Sequence, residues 1–266
     1  MDEKFQLRII LIGHTGFIGS NLYRKFLRSD SDLIGINSKI IETKSGSRNR
    51  QSFSFVDDLS EFITERTTVI NTAWCNNSRI NRNSAEHNTF AESEIELISF
   101  LRQKKTRYLS LGTIAEYRNA EITDSFDSKY AENKRKVSEY LSQNHMNYIW
   151  VRIASCFGEE DKRNWFLTEL LNSKSDKEIT IQNPNYLLNL TSVQKISEML
   201  VCLANGSRVG DVNLAGKYWH RLRNLADYYY RNSSLDPVIR EFGPFSISDP
   251  ARIDTGDNNI LEFLNK

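Results

Sequence analysis

Tyr130 and Lys134 stand four residues apart in Lys129-Tyr130-Ala131-Glu132-Asn133-Lys134. On a helix that spacing puts a phenol and an ammonium on one face, one turn apart. The pair gains meaning from a second element, Gly13-His14-Thr15-Gly16-Phe17-Ile18-Gly19, close to the N-terminus. Glycine lacks a Cβ, so this spacing permits a tight turn, close approach of backbone to a pyrophosphate and close helix–strand packing. A pyrophosphate there meets the N–H groups and the positive end of the helix that follows. One element holds a dinucleotide and the other moves a proton beside it. Together they point to hydride chemistry on a carbonyl or alcohol.

A phenol ionises near pH ~10 in water, so proton exchange near neutrality requires positive charge close by. Lowering that value by ~3 units corresponds to ~4 kcal/mol of differential stabilisation. Lys134 supplies one charge and an oxidised nicotinamide a second. In reduction Tyr130 donates its proton to the carbonyl oxygen, and Lys134 also bonds the nicotinamide ribose. Thr113 ends an apolar strand, where ligands meet an open parallel sheet. Its hydroxyl either aligns the substrate oxygen with Tyr130 or caps the following turn. Asn88 either anchors a water or carbonyl near the lysine or caps its own helix.

The residues that hold the dinucleotide are read as Gly13, Thr15, Gly16, Phe17, Ile18 and Gly19 in the turn, with Ala73 beyond a later strand. Cofactor choice is set where the second strand ends, at Asn37-Ser38-Lys39. An acidic residue there would accept bonds from the adenine ribose and repel a 2′-phosphate. None stands there, and Lys44, Arg48 and Arg50 follow. This favours NADP(H) over NAD(H), against the alternative of a solvated turn and charged loop. Asp58 either meets the adenine amino group or caps a helix. Trp74, with Asn76, Asn77 and Arg79, lines the substrate cleft or packs; Arg221 and Arg223 meet a diphosphate or solvent. Tyr228-Tyr229-Tyr230 reads as packing. Of the four histidines, His14, His87, His145 and His220, none sits in a convincing motif, and His14 packs or meets solvent.

These residues need elements to carry them. Leu7 to Ile12 is a β-branched apolar run that stops at Gly13, and it reads as a buried parallel strand. Apolar positions recur at helical spacing from Phe17 to Arg28, and Leu33 to Ile36 is a second strand, completing a βαβ unit. Further strands are expected at 52–56, 68–73, 107–111 and 148–153, with helices at 88–103 and 130–143. Strands alternating with helices argue an α/β fold with a doubly wound parallel sheet. The polar stretch from Glu42 to Ser52 reads as a mobile loop. Beyond Gly158 the pattern weakens to helices at 165–171 and 192–203 and a strand at 209–214. The expected division is a dinucleotide-binding domain over 1–158 and a smaller C-terminal substrate lobe over 159–266, with segments near 187–203 and 209–214 returning to the sheet.

Composition limits the alternatives. With 266 residues the chain can bury a sizeable core. Lys plus Arg is 35 and Asp plus Glu 34, so a net charge of +1 gives no general attraction to nucleic acid or to an acidic membrane surface. Cys75, Cys156 and Cys202 are scattered, which argues against a disulfide framework or zinc site, and no metal is expected. No apolar run approaches the ~18 residues of a membrane span, and the charged start is no signal peptide. A reducing cytoplasm is the expected compartment.

From about residue 7 to 215 the chain resembles the extended short-chain dehydrogenase/reductases of the NAD-dependent epimerase/dehydratase family. Gly13, Gly16 and Gly19 are similar to its G-x-x-G-x-x-G. Asn71-Thr72-Ala73 stands where the family has His-Leu-Ala-Ala, and Asn88-Thr89-Phe90-Ala91 resembles Asn-Val-x-Gly. Leu109 to Tyr117 resembles the Ser-Ser-x-x-Val-Tyr-Gly segment, with Thr113 on the catalytic Ser/Thr position, and Tyr130-x-x-x-Lys134 resembles the catalytic pair. Val151 to Gly158 resembles Leu-Arg-x-x-Asn-Val-Tyr-Gly, with Ser155 on an Asn that often holds the diphosphate; Leu190 to Val193 resembles Phe-x-x-Val. The resemblance implies a nucleotide-diphosphate sugar as substrate and, commonly, a homodimer. Family dehydratases carry Asp-Glu after the catalytic Thr, whereas Ile114-Ala115 follow here, so water elimination has no evident acid and base. The short chain resembles the compact 4-ketoreductases of deoxysugar nucleotides. The expectation is therefore NADPH-dependent reduction of a 4-keto deoxysugar. An epimerase with tightly bound NAD is the alternative, and a non-catalytic NAD(P)-binding protein the third reading.

Overall fold

The computed structural model describes residues 7–49, 55–74, 80–117, 128–158, 161, 180–181, 187–216, 219–233, 240–241 and 255–256. The N-terminal half runs β1 (Arg8–Ile12), α1 (Phe17–Leu27), β2 (Asp32–Ile36), β3 (Ile40–Thr43), β4 (Gly46–Asn49), α2 (Phe55–Ser60), β5 (Thr67–Asn71) and α3 (Glu86–Gln103). Next come β6 (Arg107–Thr113), a 3₁₀ turn (Ile114–Glu116), α4 (Lys129–Asn144), β7 (Tyr148–Ile153), β8 (Ser155–Phe157), β9 (Thr180–Ile181) and β10 (Leu187–Ser192). The chain continues through α5 (Val193–Asn205), β11 (Gly210–Gly216), β12 (Trp219–Arg221), α6 (Leu222–Ser233), β13 (Arg240–Glu241) and β14 (Thr255–Gly256).

Nine strands form one sheet in the order β14-β11-β7-β6-β5-β1-β2-β3-β4. From β14 to β2 neighbouring strands are parallel. Their sequences show why: Ile9 to Ile12 are all buried, as is every residue of β5, so these strands are covered on both faces. Phe26 and Leu22 of α1 and Ile196 and Leu200 of α5 fill one core cluster. Ile98 and Leu101 of α3 and Val137 and Leu141 of α4 fill the other. The sheet order reverses at β1, between β2 and β5, which places a crevice at the carboxyl ends of β1, β5 and β6.

Two local expectations fail. The segment from Phe55 to Ser60 is helical, not a strand through Val56, and residues 50–54 lie outside the described set. The polar stretch from Glu42 forms a hairpin instead of a loop: β3 pairs antiparallel with β2, and β4 with β3 in the register Ile40↔Asn49 and Thr43↔Gly46. Gly46 turns the chain with φ 147, and Ile41 is buried while β4 is wholly exposed. The free edge of β2 recruits these residues by backbone hydrogen bonding, which side-chain polarity does not encode. The expected helix at 165–171 lies outside the described residues. A three-stranded sheet, β12-β10-β8, accompanies the large one.

Candidate active site

The glycine turn is built from close backbone contacts. Gly13 has φ 83, and a Cβ there would lie 2.8 Å from the amide nitrogen of Ala73. A Cβ on Gly19 would overlap the carbonyl oxygen of Gly13. Gly13 N–H bonds the carbonyl of Ile36 at 2.7 Å, and the Thr72 hydroxyl bonds the carbonyls of Ile12 at 2.9 Å and Gly13 at 3.2 Å. The ends of β1, β2 and β5 are thereby stitched together. α1 opens after Gly16 with no side-chain cap and no acidic residue in its first turn, so its positive end is left for an anion. Thr15 is exposed at that end. Phe17 and Ile18 pack on the core, and the Phe17 ring lies close to Gly158. This cradle fits a dinucleotide pyrophosphate.

Beyond the turn, Asn37 Oδ1 accepts from the amides of Lys39 at 2.7 Å and Ile40 at 2.9 Å, closing the link from β2 to β3. Ser38 and Lys39 are exposed. Arg48, by contrast, pairs with Glu61 and covers the Phe62 ring, and Lys44 reaches the Ser29 carbonyl at 3.5 Å. The hairpin draws these two cations away from the end of β2. Arg50 and the side chain of Asp58 lie outside the described set. His14 is buried: it bonds Glu42 at 3.0 Å and packs on Tyr23, and a Cβ on Gly35 would strike its ring.

α4 is capped by the Ser128 hydroxyl, which accepts from Ala131 N–H at 3.3 Å. This fixes Tyr130 and Lys134 one turn apart. Tyr130 is half-buried, its ring against His87 at 5.3 Å, Trp74 at 6.2 Å and the Arg82 guanidinium at 5.5 Å. The Thr113 hydroxyl accepts from Ala115 N–H at 3.3 Å, capping the 3₁₀ turn, and favours the phenolate of Tyr130. Lys134 is 3% exposed, and its Nζ donates to the Leu111 carbonyl at 2.6 Å. The ammonium lies 3.7 Å from the centre of the Trp74 ring and 3.8 Å from Glu94 Oε2.

Burial dominates the electrostatics of the pair: opposed by Arg82 and reinforced by Glu116, it pushes the Tyr130 phenol up to about 12. Burial also pushes Lys134 below its ordinary value, while Glu94 and Glu116 pull it back. In this state the Lys134 charge is directed at Leu111, Glu94 and Trp74, so desolvation outweighs its help to a phenolate.

Glu116 organises the far side. Its carboxylate accepts from Thr113 N–H at 2.7 Å, Trp150 Nε1 at 2.9 Å and Arg152 Nε at 2.7 Å. Arg152 continues to Asp211 at 2.7 Å and Ser138 at 3.0 Å. A Cβ on Gly112 would collide with the Glu116 carboxylate and the Trp150 indole. Burial raises the Glu116 carboxyl, and Arg152 opposes the shift. Among the described residues no group of three or more His, Cys, Asp or Glu could hold a metal, and no helix is long and apolar enough to cross a membrane.

Residues 9–196 match the model of the NAD dependent epimerase/dehydratase family. The chain belongs to that family. Comparison with curated proteins returns no match. Among solved structures it is similar to dTDP-4-dehydrorhamnose reductase of Bacillus anthracis in complex with NADP, with 14% identity, TM-score 0.70 and coverage of 97% of this chain and 91% of that one. It is also similar to the Bordetella bronchiseptica enzyme WbmH in complex with NAD+ (15% identity, TM-score 0.73, 98% and 96% covered). UDP-N-acetylglucosamine 4-epimerase of Bacillus cereus gives 13% identity, TM-score 0.74 and coverage of 98% and 94%. These likenesses establish the Rossmann-like α/β fold.

In this epimerase/dehydratase-family chain Gly112 and Glu116 lie directly against each other. The glycine makes room for the carboxylate. Asn88 lies in the first turn of α3. It is exposed, accepts from Asn133 Nδ2 at 2.9 Å, and does not cap α3, which begins after Ala85. Ser155 is half-buried on β8 opposite Leu190, and Arg221 ends β12 opposite Leu187. Asn76, Asn77 and Arg79 fall outside the described residues.

Glu94, His87, Arg82, Glu116 and Cys156 surround the Tyr130–Lys134 pair without having been flagged by motif. His87 Nδ1 accepts from Trp74 Nε1 at 3.2 Å, and its Nε2–H faces the Asn81 carbonyl at 3.0 Å; burial pushes its pKa down. One signal was in reach: His87, Ala91, Glu94, Ile98 and Leu101 share a helical face, so a carboxylate and an imidazole interrupt an apolar stripe.

Proposed function

We propose that the protein is an NADPH-dependent ketoreductase acting on the 4-keto group of a nucleotide-diphosphate-linked deoxysugar. The observation that carries this reading is the Tyr130–Lys134 pair, one turn apart on α4, set beside Thr113 at the carboxyl end of β6 in the sheet whose β1 ends at the glycine turn. Ile114 and Ala115, both buried and apolar, occupy the positions where elimination would need carboxylates. The neighbours' names agree in substrate class, covering an NDP-sugar reductase and an epimerase.

Gly13, Gly16 and Gly19 cradle the pyrophosphate, with Thr15, Phe17, Ile18 and Ala73 around it. Asn37, Ser38 and Lys39 take the adenosine end, and the exposed Lys39 with no carboxylate at position 37 favours NADP(H). A nicotinamide held by these residues would supply the hydride that the ketone carbon receives. Thr113 bonds the ketone oxygen and aligns it, and Tyr130 donates the proton to that oxygen. Lys134 bonds the ribose once Trp74 shifts from over its ammonium. Trp74, Ser155 and Arg221 face the substrate in this reading.

The test is incubation of purified protein with NADPH and a panel of nucleotide-linked 4-keto-6-deoxy sugars. Stoichiometric oxidation of NADPH is expected with one of them. Turnover of a nucleotide sugar without net cofactor consumption, by protein that purifies with NAD, would establish an epimerase instead.

A further inference from the structure

A buried ammonium needs a compensating partner, or it gives up its proton. Lys134 has the Leu111 carbonyl, two indole faces and one nearby carboxylate, Glu94 of α3. Glu94 is itself 3% exposed. Its Oε1 accepts from the Tyr108 hydroxyl at 2.8 Å and from the Ser110 hydroxyl, and Asn71 in turn donates to Tyr108 at 3.2 Å. Its Oε2 has no hydrogen-bond partner and lies 3.8 Å from the ammonium. One oxygen thus anchors the carboxyl and the other is turned on the lysine.

Resting on the reductase reading of this site, we infer that Glu94 is a positioning residue, which holds Lys134 as an ammonium beneath Tyr130. Anchoring by Tyr108 and Ser110 requires only an acceptor. The charge is needed only for Lys134. The other titratable groups acting on the lysine are His87 from α3 and Glu116 from the 3₁₀ turn, with Arg152 of β7 behind Glu116; Tyr108 of β6 bonds Glu94 itself, and Tyr130 stands one turn away on the same helix with Arg82 over its ring. Glu116 is already committed to three donors, among them Arg152, so it does not substitute for Glu94.

Glu94→Gln keeps the acceptor for both hydroxyls and removes the charge. The alkaline limb of kcat for ketone reduction is expected to move down by at least about one pH unit, with KM for the sugar held within about twofold. The pH at which NADPH affinity falls, read by fluorescence titration without turnover, should move in the same direction. Glu94→Asp, which retains the charge, should return both limbs toward the wild-type position. If the wild type reduces no sugar while the binding limb still moves, the reductase reading fails and the role of Glu94 stands. If both limbs stay where the wild type has them in folded Glu94→Gln, the inference is overturned. Should that variant not fold, the double variant Glu94→Gln/Lys134→Met decides: regained folding supports the charge pairing, and a double variant no more stable than the single one overturns it.

Discussion

The turn at residues 13–19 and the pocket around Lys134 face the same crevice but are built by opposite means. The turn works by leaving side chains out. Gly13 and Gly19 let backbone pass within contact distance of backbone, and the uncapped start of α1 keeps its dipole for an anion. The pocket works by burying charge: Lys134, Glu94, Glu116 and Arg152 come from α4, α3, the 3₁₀ turn and β7, and each is answered by another or by a hydroxyl. A backbone device tolerates change around it as long as the glycines stay. A network of buried charges couples its members, so loss of one partner leaves another uncompensated.

That contrast can be broken at several points. Tyr130→Phe should lower reduction by about 10²–10⁴-fold while NADPH affinity, measured by titration, changes little, since the turn is untouched. The same variant bears on pH. The wild-type Tyr130 phenol is pushed by burial to about 12, above a free phenol. Tyr130 therefore stabilises the fold fully below about pH 10, and the contribution is lost as pH rises through the folded value. Tyr130→Phe should flatten that part of the alkaline unfolding curve.

Gly19→Ala forces a Cβ into the Gly13 carbonyl, and the turn must open. Cofactor binding should fall at least about tenfold, with a stability loss of about 1–3 kcal/mol seen by thermal melting. The pocket should instead show coupling. Gly112→Ser crowds Glu116, and Glu116→Val removes the buried carboxylate of Arg152, leaving it Asp211 and Ser138; each should cost about 2–4 kcal/mol. The double variant should cost less than the sum by about 1 kcal/mol or more, because valine vacates the space that serine needs. Simple additivity in denaturant unfolding would mean that the two positions are not a coupled pair. The smallest effect belongs to the rim. Lys39→Ala should weaken NADPH by about 3–10-fold and leave NADH unchanged, with the difference shrinking in high salt.

Much of this was legible beforehand because the signals are local. The β-branched run ending at Gly13, the glycine spacing and the four-residue Tyr130–Lys134 interval each act within a few residues. The β3–β4 hairpin was not legible, since its strands form against an edge that β2 supplies. Arg48 illustrates the consequence: nearby in sequence, it was counted toward a 2′-phosphate, yet the hairpin carries it to Glu61. Glu94 and Glu116 were missed because their partners lie 16 and 36 residues away in Ser110 and Arg152.

By itself the sequence determined the parallel alternation, the glycine turn and the one-turn spacing of Tyr130 and Lys134, because backbone freedom and helical periodicity are properties of short segments. Only the tertiary structure decided the surroundings of that tyrosine. Burial raises the Tyr130 phenol, and carboxylates delivered by separate elements occupy the charge of Lys134. Desolvation and the Coulomb interaction depend on what surrounds a group in space, and neither is written in its neighbours along the chain.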